Sequence, residues 1–166
     1  MASRIEHRAT FTSGVADVFA AQSSEQALRA RLAEIGGTNA RLEEHTVTDD
    51  GVRYVLLQGV ASDKLPQAVR TLHKGDLTVR REQRWRREGD GYTGTTQVGV
   101  SGIPGDITAT TALTPEGSGT AELTTGEVKV RIPIVGGRLE GFIAEQVTNL
   151  LRSEADFTAK WLARGT

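Results

Sequence analysis

Chemistry in this chain centres on a basic stretch, RREQRWRRE, at residues 80–88. Read with the three residues before it, the segment alternates. Leu77, Val79, Arg81, Gln83 and Trp85 fall on one face, and Thr78, Arg80, Glu82, Arg84 and Arg86 on the other. That is the period of a half-buried strand. The consequence is a guanidinium and an amide carried into an otherwise apolar space. A buried charge is expensive unless it is paired and hydrogen-bonded. Arg81 therefore meets a carboxylate of the protein, for which Glu44 is the candidate, or else an acidic or carbonyl group on a ligand. Protein pairing is the more common outcome, since buried charges usually have partners. Arginine interleaved with tryptophan also occurs in nucleic-acid binders. Here the formal net charge is −1, which favours a solvated arginine face, and no nucleic-acid partner is expected.

The remaining reactive residues are sparse. His7 lies on the apolar face of an alternating segment with Ile5, Ala9 and Phe11, where a lone histidine is ordinarily a satisfied core residue. His45 falls in a strand pattern and His73 in a loop. Three histidines without a cysteine or an H-E-x-x-H spacing do not suggest a metal site, and no cofactor is expected. The G-x-S-x-G elbow of hydrolases is absent. GDGYTG, residues 89–94, fits G-x-G-x-x-G, but a threonine-rich strand pattern follows it where a dinucleotide site needs a helix, so it reads as a hairpin turn. If the chain is an enzyme, His7, Arg81 and Tyr54 are its candidate acid–base or polarising groups.

These residues must be positioned by one domain, spanning 1–166, of ordinary globular composition (37% hydrophobic, 25% charged). The absence of cysteine excludes a disulfide framework and thiolate chemistry. The polar start MASRIEHRAT does not read as a signal peptide, so none is expected, and no apolar run approaches the roughly 18 residues of a membrane span. A cytoplasmic protein, monomeric or homodimeric, is the expectation.

The pattern begins with a strand over SRIEHRATFT. A short helix capped by Ser13 follows, with Val15, Val18 and Phe19 apolar, then a second with Ser23 and Gln26 as a capping box, stopped at Gly36–Gly37. Strand signals then dominate: ARLEEHTVT and VRYVLLQGV around DDG, one helical turn after Pro66, the basic strand, and three more strands divided by GIPGD and PEGSG. In GTAELTTGEVKVRIPI, Ala121, Leu123 and Thr125 share one phase while Val128, Val130 and Ile132 share the other, which predicts a β-bulge near Thr125–Gly126. After Pro133 and the pair Gly136–Gly137, Leu139, Phe142, Ile143, Val147, Leu150, Leu151, Phe157, Trp161 and Leu162 recur at three- and four-residue steps, the pattern of one long amphipathic helix. Strands followed by a terminal helix predict an α+β fold, an antiparallel sheet of about seven strands curved around that helix. Pro133 ends ladder donation, and the glycine pair permits the turn into the helix.

This element order resembles the helix-grip fold of the START, pollen-allergen-like (SRPBCC) superfamily. GIPGDITATTAL, GEVKVRIPIVGGRLEGFI and the terminal AKWL resemble a bacterial domain-of-unknown-function family within it. The resemblance implies a deep hydrophobic cavity between sheet and terminal helix, able to hold a lipid or polyketide-like molecule, with the Leu65–Lys74 segment gating entry. On the sheet, Tyr54, Arg81, Gln83, Trp85, Tyr92 and Thr96 are expected to line it. On the helix, Phe142, Ile143 and Gln146 are expected to do so. Small residues on neighbouring strands, Gly94, Thr96, Ala109 and Thr111, leave either cavity or room for larger side chains. Three readings follow: a binder or carrier of a hydrophobic small molecule, a polyketide cyclase- or dehydratase-like enzyme, and an interaction module with a filled core. Cavity volume separates the last from the others.

Overall fold

The computed structural model describes residues 2–65, 67–72 and 75–164. His73 and Lys74, and with them the end of the expected gating segment, lie outside the described residues, as does Pro66. The chain opens with β1 (Ser3–Phe11), then α1 (Val15–Ser23) and α2 (Glu25–Ile35). Next come β2 (Arg41–Val47), β3 (Gly51–Val60), a 3-10 turn (Ser62–Lys64), α3 (Gln67–Leu72) and β4 (Leu77–Glu88). Strands β5 (Gly91–Val100), β6 (Ile103–Glu116) and β7 (Gly119–Val130) lead into α4 (Gly136–Ala163). Among the described residues the seven strands form one sheet in the order β1-β7-β6-β5-β4-β3-β2, with every neighbouring pair antiparallel.

Helix α4 has 28 residues and is about 42 Å long. It packs on β1 and β7 at one edge of the sheet, on α1 and α2, and reaches Arg81 on β4 through Glu154. A single helix that meets both an edge and the middle of a sheet requires the sheet to curve around it. The expected α+β helix-grip architecture is thus the observed one.

Several local expectations are corrected. The cap of α1 is Gly14 rather than Ser13, whose carbonyl instead accepts from Thr120 Oγ1 at 2.8 Å. The cap of α2 is Ser24, whose hydroxyl accepts from the Ala27 amide. Ser23 closes α1 and donates to the Phe19 carbonyl. No bulge interrupts β7. Its pairing with β1 and β6 runs unbroken through Thr125 and Gly126, so Thr120, Glu122, Thr124, Val128 and Val130 all face inward. The change of phase is one of chemistry only: polar residues replace apolar ones along the same inner face. A register shift lies instead in β2, between Leu42 and Glu44, and it turns Glu44 outward. At the hinge into α4, the left-handed residue is Ile134, with φ of 74°, whereas the glycines already begin the helix. Gly136 is needed for close approach, since a Cβ there would stand 2.9 Å from the Val130 carbonyl oxygen. Buried Glu140 fixes the same corner by accepting from the Val130 amide at 2.7 Å.

The grip holds two apolar cores. One, near the hinge, gathers Ile5, Val69, Leu77, Val98, Ile107, Val128 and Leu139. The other gathers Phe11, Val18, Leu28, Leu32, Leu56, Trp85 and Leu113 under α1 and α2.

Candidate functional site

Between sheet and α4 lies a polar chamber with side chains from seven elements. Gln22 comes from α1, Arg31 from α2, Tyr54 from β3, Arg81, Gln83 and Trp85 from β4, Glu122 and Thr124 from β7, and Leu151, Glu154 and Thr158 from α4; Thr111 of β6 completes it. Its volume is about 30 Å³, against roughly 300–1,000 Å³ for an ordinary ligand pocket. The deep apolar cavity implied by the resemblance is therefore contracted here to a small polar space.

Glu154 is the hub. Arg81 donates to it twice, from Nη1 to Oε2 at 2.7 Å and from Nη2 to Oε1 at 3.1 Å, the two-pronged geometry a guanidinium makes with a carboxylate. Arg31 Nη2 stands 3.6 Å from the same Oε2. Arg81 thus pairs with Glu154 and not with Glu44, which the β2 bulge has turned outward to Arg53 and Arg80. Burial alone would raise the Glu154 carboxyl, but Arg31 and Arg81 outweigh it and hold it below the usual carboxylate range. Burial opposes charge on Arg81 as well, and Glu154 more than restores it.

Around the hub the polar groups are mostly satisfied. Gln22 Nε2 donates to Glu122 Oε2 at 2.6 Å. Burial, reinforced by the charge of Glu154, raises the Glu122 carboxyl despite Gln22 and the arginines. Tyr54 donates to the Gln22 carbonyl at 3.2 Å and accepts from Trp85 Nε1 at 3.3 Å. Gln83 accepts from Thr96 Oγ1, and the hydroxyls of Thr111 and Thr124 meet at 2.9 Å. Arg31 Nη2 is the exception in the chamber: it is buried and has no hydrogen-bond acceptor.

Of the residues expected to line a cavity, Tyr54, Arg81, Gln83 and Trp85 converge on the chamber, and Thr96 supports it through Gln83. Tyr92 does not reach it. It stacks on Phe19 at 3.8 Å between ring centroids, and Phe19 meets Trp85 edge-on, so an aromatic pile closes the α1 end of the grip. Gly94 is room for large side chains rather than cavity, since a Cβ there would lie 2.9 Å from the Trp85 ring. On α4, Ile143 lines a small apolar space near the hinge with Val98, Ile107 and Val128. Phe142 is half-buried and lines neither space, and Gln146 is exposed. A helix turns once every 3.6 residues, so the row 143, 147, 151 faces the sheet and Gln146 falls beside it. Ile143, Val147 and Leu151 run along α4 from the apolar space to the chamber, and all three are only partly buried.

Of the three catalytic candidates, Tyr54 and Arg81 meet in the chamber and His7 stays outside its lining. The Nδ1 of His7 is buried without a partner, and burial, then Arg152, lowers the pKa of the ring against the opposing pull of Glu154 and Asp156. Tyr54 has its hydroxyl engaged on both sides. The outer arginines are laced to carboxylates, with Arg53 Nε 2.6 Å from Glu82, Arg84 3.1 Å from Glu82 and Arg80 4.0 Å from Glu44. Among the described residues no helix is long and apolar enough to cross a membrane, and no group of three or more His, Asp or Glu is placed to hold a metal.

Residues 6–162 match a family model described as "Protein of unknown function (DUF2505)". An uncharacterized protein of Mycobacterium tuberculosis, Rv0481c, is 37% identical over 142 residues, which cover 81% of this chain and 82% of that protein. The crystal structure of TTHA0849 from Thermus thermophilus superposes with a TM-score of 0.61 at 18% identity, covering 99% of this chain and 100% of that one. Norcoclaurine synthase from Thalictrum flavum, solved with dopamine and hydroxybenzaldehyde, gives 0.62 at 15% identity and covers 100% of this chain and 89% of that one. Ara h 8.0201 gives 0.59 at 11% identity, with coverage of 99% and 100%.

Proposed function

The chain belongs to the DUF2505 family and has a helix-grip fold, and on that footing we propose that it binds a small amphiphilic molecule between its sheet and α4. The observation that carries this reading is the row Ile143, Val147, Leu151. It joins a partly exposed apolar surface near the hinge to a buried polar chamber. Val60, Val79 and Val100 on the sheet, and Ile132 and Val135 at the hinge, are likewise packed on the core without being fully covered. A ligand with an apolar body and one polar end matches both halves. Burial of its body at roughly 25 cal/mol per Å² supplies affinity, and the chamber supplies orientation. The fold supports this as well, since one protein of similar structure was solved with two small aromatic molecules.

The chamber's small volume favours a second reading, an interaction module whose core is filled by its own side chains. Native mass spectrometry of freshly purified protein, before and after denaturation, distinguishes them. Extra mass that is retained under gentle conditions and released on unfolding is the result expected of a binder. A clean mass that stays clean after incubation with a panel of alkyl and aryl amphiphiles is the result expected of a filled module.

A further inference from the structure

We infer that the polar end of the ligand is a carboxylate, and that Arg31 is the residue that receives it. This rests on the small-molecule reading above and narrows it to one class, monocarboxylic acids with an apolar body.

The inference starts from an imbalance. Two guanidiniums, Arg31 and Arg81, enter the chamber, with side chains 7% and 12% exposed. Among the described residues, Glu154 is the one carboxylate within ion-pair distance of either. Arg81 takes both of its oxygens at hydrogen-bonding distance. Arg31 is left at 3.6 Å, with Nη2 buried and donating to nothing. A buried donor without an acceptor is a standing cost, and a charged one more so. The other carboxylate of the chamber, Glu122, is turned to Gln22 and lies in surroundings that favour its protonated form. Two guanidiniums therefore share one carboxylate at ion-pair distance, and Arg31 is left without a hydrogen-bond acceptor for Nη2.

Size and shape select the anion. The chamber's free volume of about 30 Å³ leaves room for a small flat group rather than a bulky head. A carboxylate is flat, carries one charge, and fits the fork of a guanidinium. Its apolar body cannot fit the chamber and must leave it along Leu151, Val147 and Ile143, a row spanning about 12 Å. A medium-chain alkanoate has that length.

Decanoate, decanol and decyl phosphate test the assignment, since they share a body and differ in the head. Trp85 lines the chamber and reports on it directly. In a Trp161→Phe background it is the remaining tryptophan of the chain's two, and calorimetry gives an independent affinity. Decanoate is expected to bind at least about tenfold more tightly than either analogue, the discrimination that a charge-assisted hydrogen bond supplies. Arg31→Met is expected to remove most of that preference; if it does not fold, Arg31→Gln, polar and uncharged, carries the same expectation. Decanol binding as tightly as decanoate overturns the carboxylate assignment while small-molecule binding stands. Tighter binding of decyl phosphate overturns it in favour of a phosphate head. A parent-level preference for decanoate in the Arg31 variant overturns the role of Arg31. Binding of none of the three overturns both this inference and the amphiphile reading beneath it.

Discussion

Replacing Glu154 with leucine removes the carboxylate on which two buried cations depend. The structure sets the magnitude. The substitution deletes two hydrogen bonds from Arg81, at 2.7 and 3.1 Å, and the 3.6 Å ion pair to Arg31, and it leaves both guanidiniums inside the fold. Breaking a buried pair by removing one partner costs about 3–5 kcal/mol, because the survivor stays buried and uncompensated. With a urea slope of about 2 kcal/mol per M, the unfolding midpoint falls by roughly 1.5–2.5 M, read by far-UV circular dichroism. The triple variant Arg31→Met, Arg81→Met, Glu154→Leu removes every charge of the triad together. It is expected to recover most of the loss, since apolar replacement of a whole buried ion network is commonly neutral or stabilising. The pH dependence has a definite sign. The folded state holds the Glu154 carboxyl below its unfolded value, so the stability it lends is present above that unfolded value. It is lost as pH falls through the folded value, below the ordinary glutamate range of about pH 4. A Glu154→Leu protein within about 1 kcal/mol of the parent, or a triple variant no more stable than the single one, refutes the buried-triad account.

Three further outcomes are expected. The native environment raises the Glu122 carboxyl, so its favourable contribution is complete below the unfolded value and is lost as pH rises through the folded one; Glu122→Gln is therefore more stable than the parent at pH 7, with the difference closing near pH 4, and equal stability across that range counts against it. His7 is held below its usual value, so NMR titration of its ring places its midpoint below that of an unfolded histidine, and charging it on acidification destabilises the protein; a midpoint at or above the ordinary value contradicts the burial seen here. Ile134 is fully exposed and β-branched at φ of 74°, so Ile134→Gly relieves backbone strain and raises stability by about 1 kcal/mol in urea unfolding, net of the extra freedom glycine gives the unfolded chain; a loss of stability means the conformation is not strained.

Much of the site was legible as a violation of pattern. Strict alternation from Leu77 to Trp85 carried Arg81 and Gln83 to the inner face, where the structure has them. The partner of Arg81 was not legible, because Glu154 lies 73 positions away and only the crossing of α4 over β4 brings them together. A signal for both missing members existed. Arg31 stands beside Leu32 and three residues from Leu28 on the apolar stripe of α2, and Glu154 lies between Leu151 and Phe157 on that of α4. A charge on an apolar stripe is the helical counterpart of a charge on an inner strand face. Glu122 was obscured for a different reason. Ala121 and Leu123 flank it, so the more apolar phase pointed to the wrong side, whereas extending the Val128–Val130 phase back by twos reaches Glu122 and Thr124 without a bulge. The contracted interior was beyond the sequence, since whether Gly94 leaves a void depends on the Gln83 and Trp85 side chains packed against it.

The most direct test of the amphiphile account is a crystal structure of the protein grown with decanoate. The predicted result is one elongated density between sheet and α4, its head within hydrogen-bonding distance of Arg31 Nη2 and its tail along Leu151, Val147 and Ile143. A saturated crystal in which that path holds only the protein's own side chains, or in which decanoate lies on the outer face of the sheet, contradicts it.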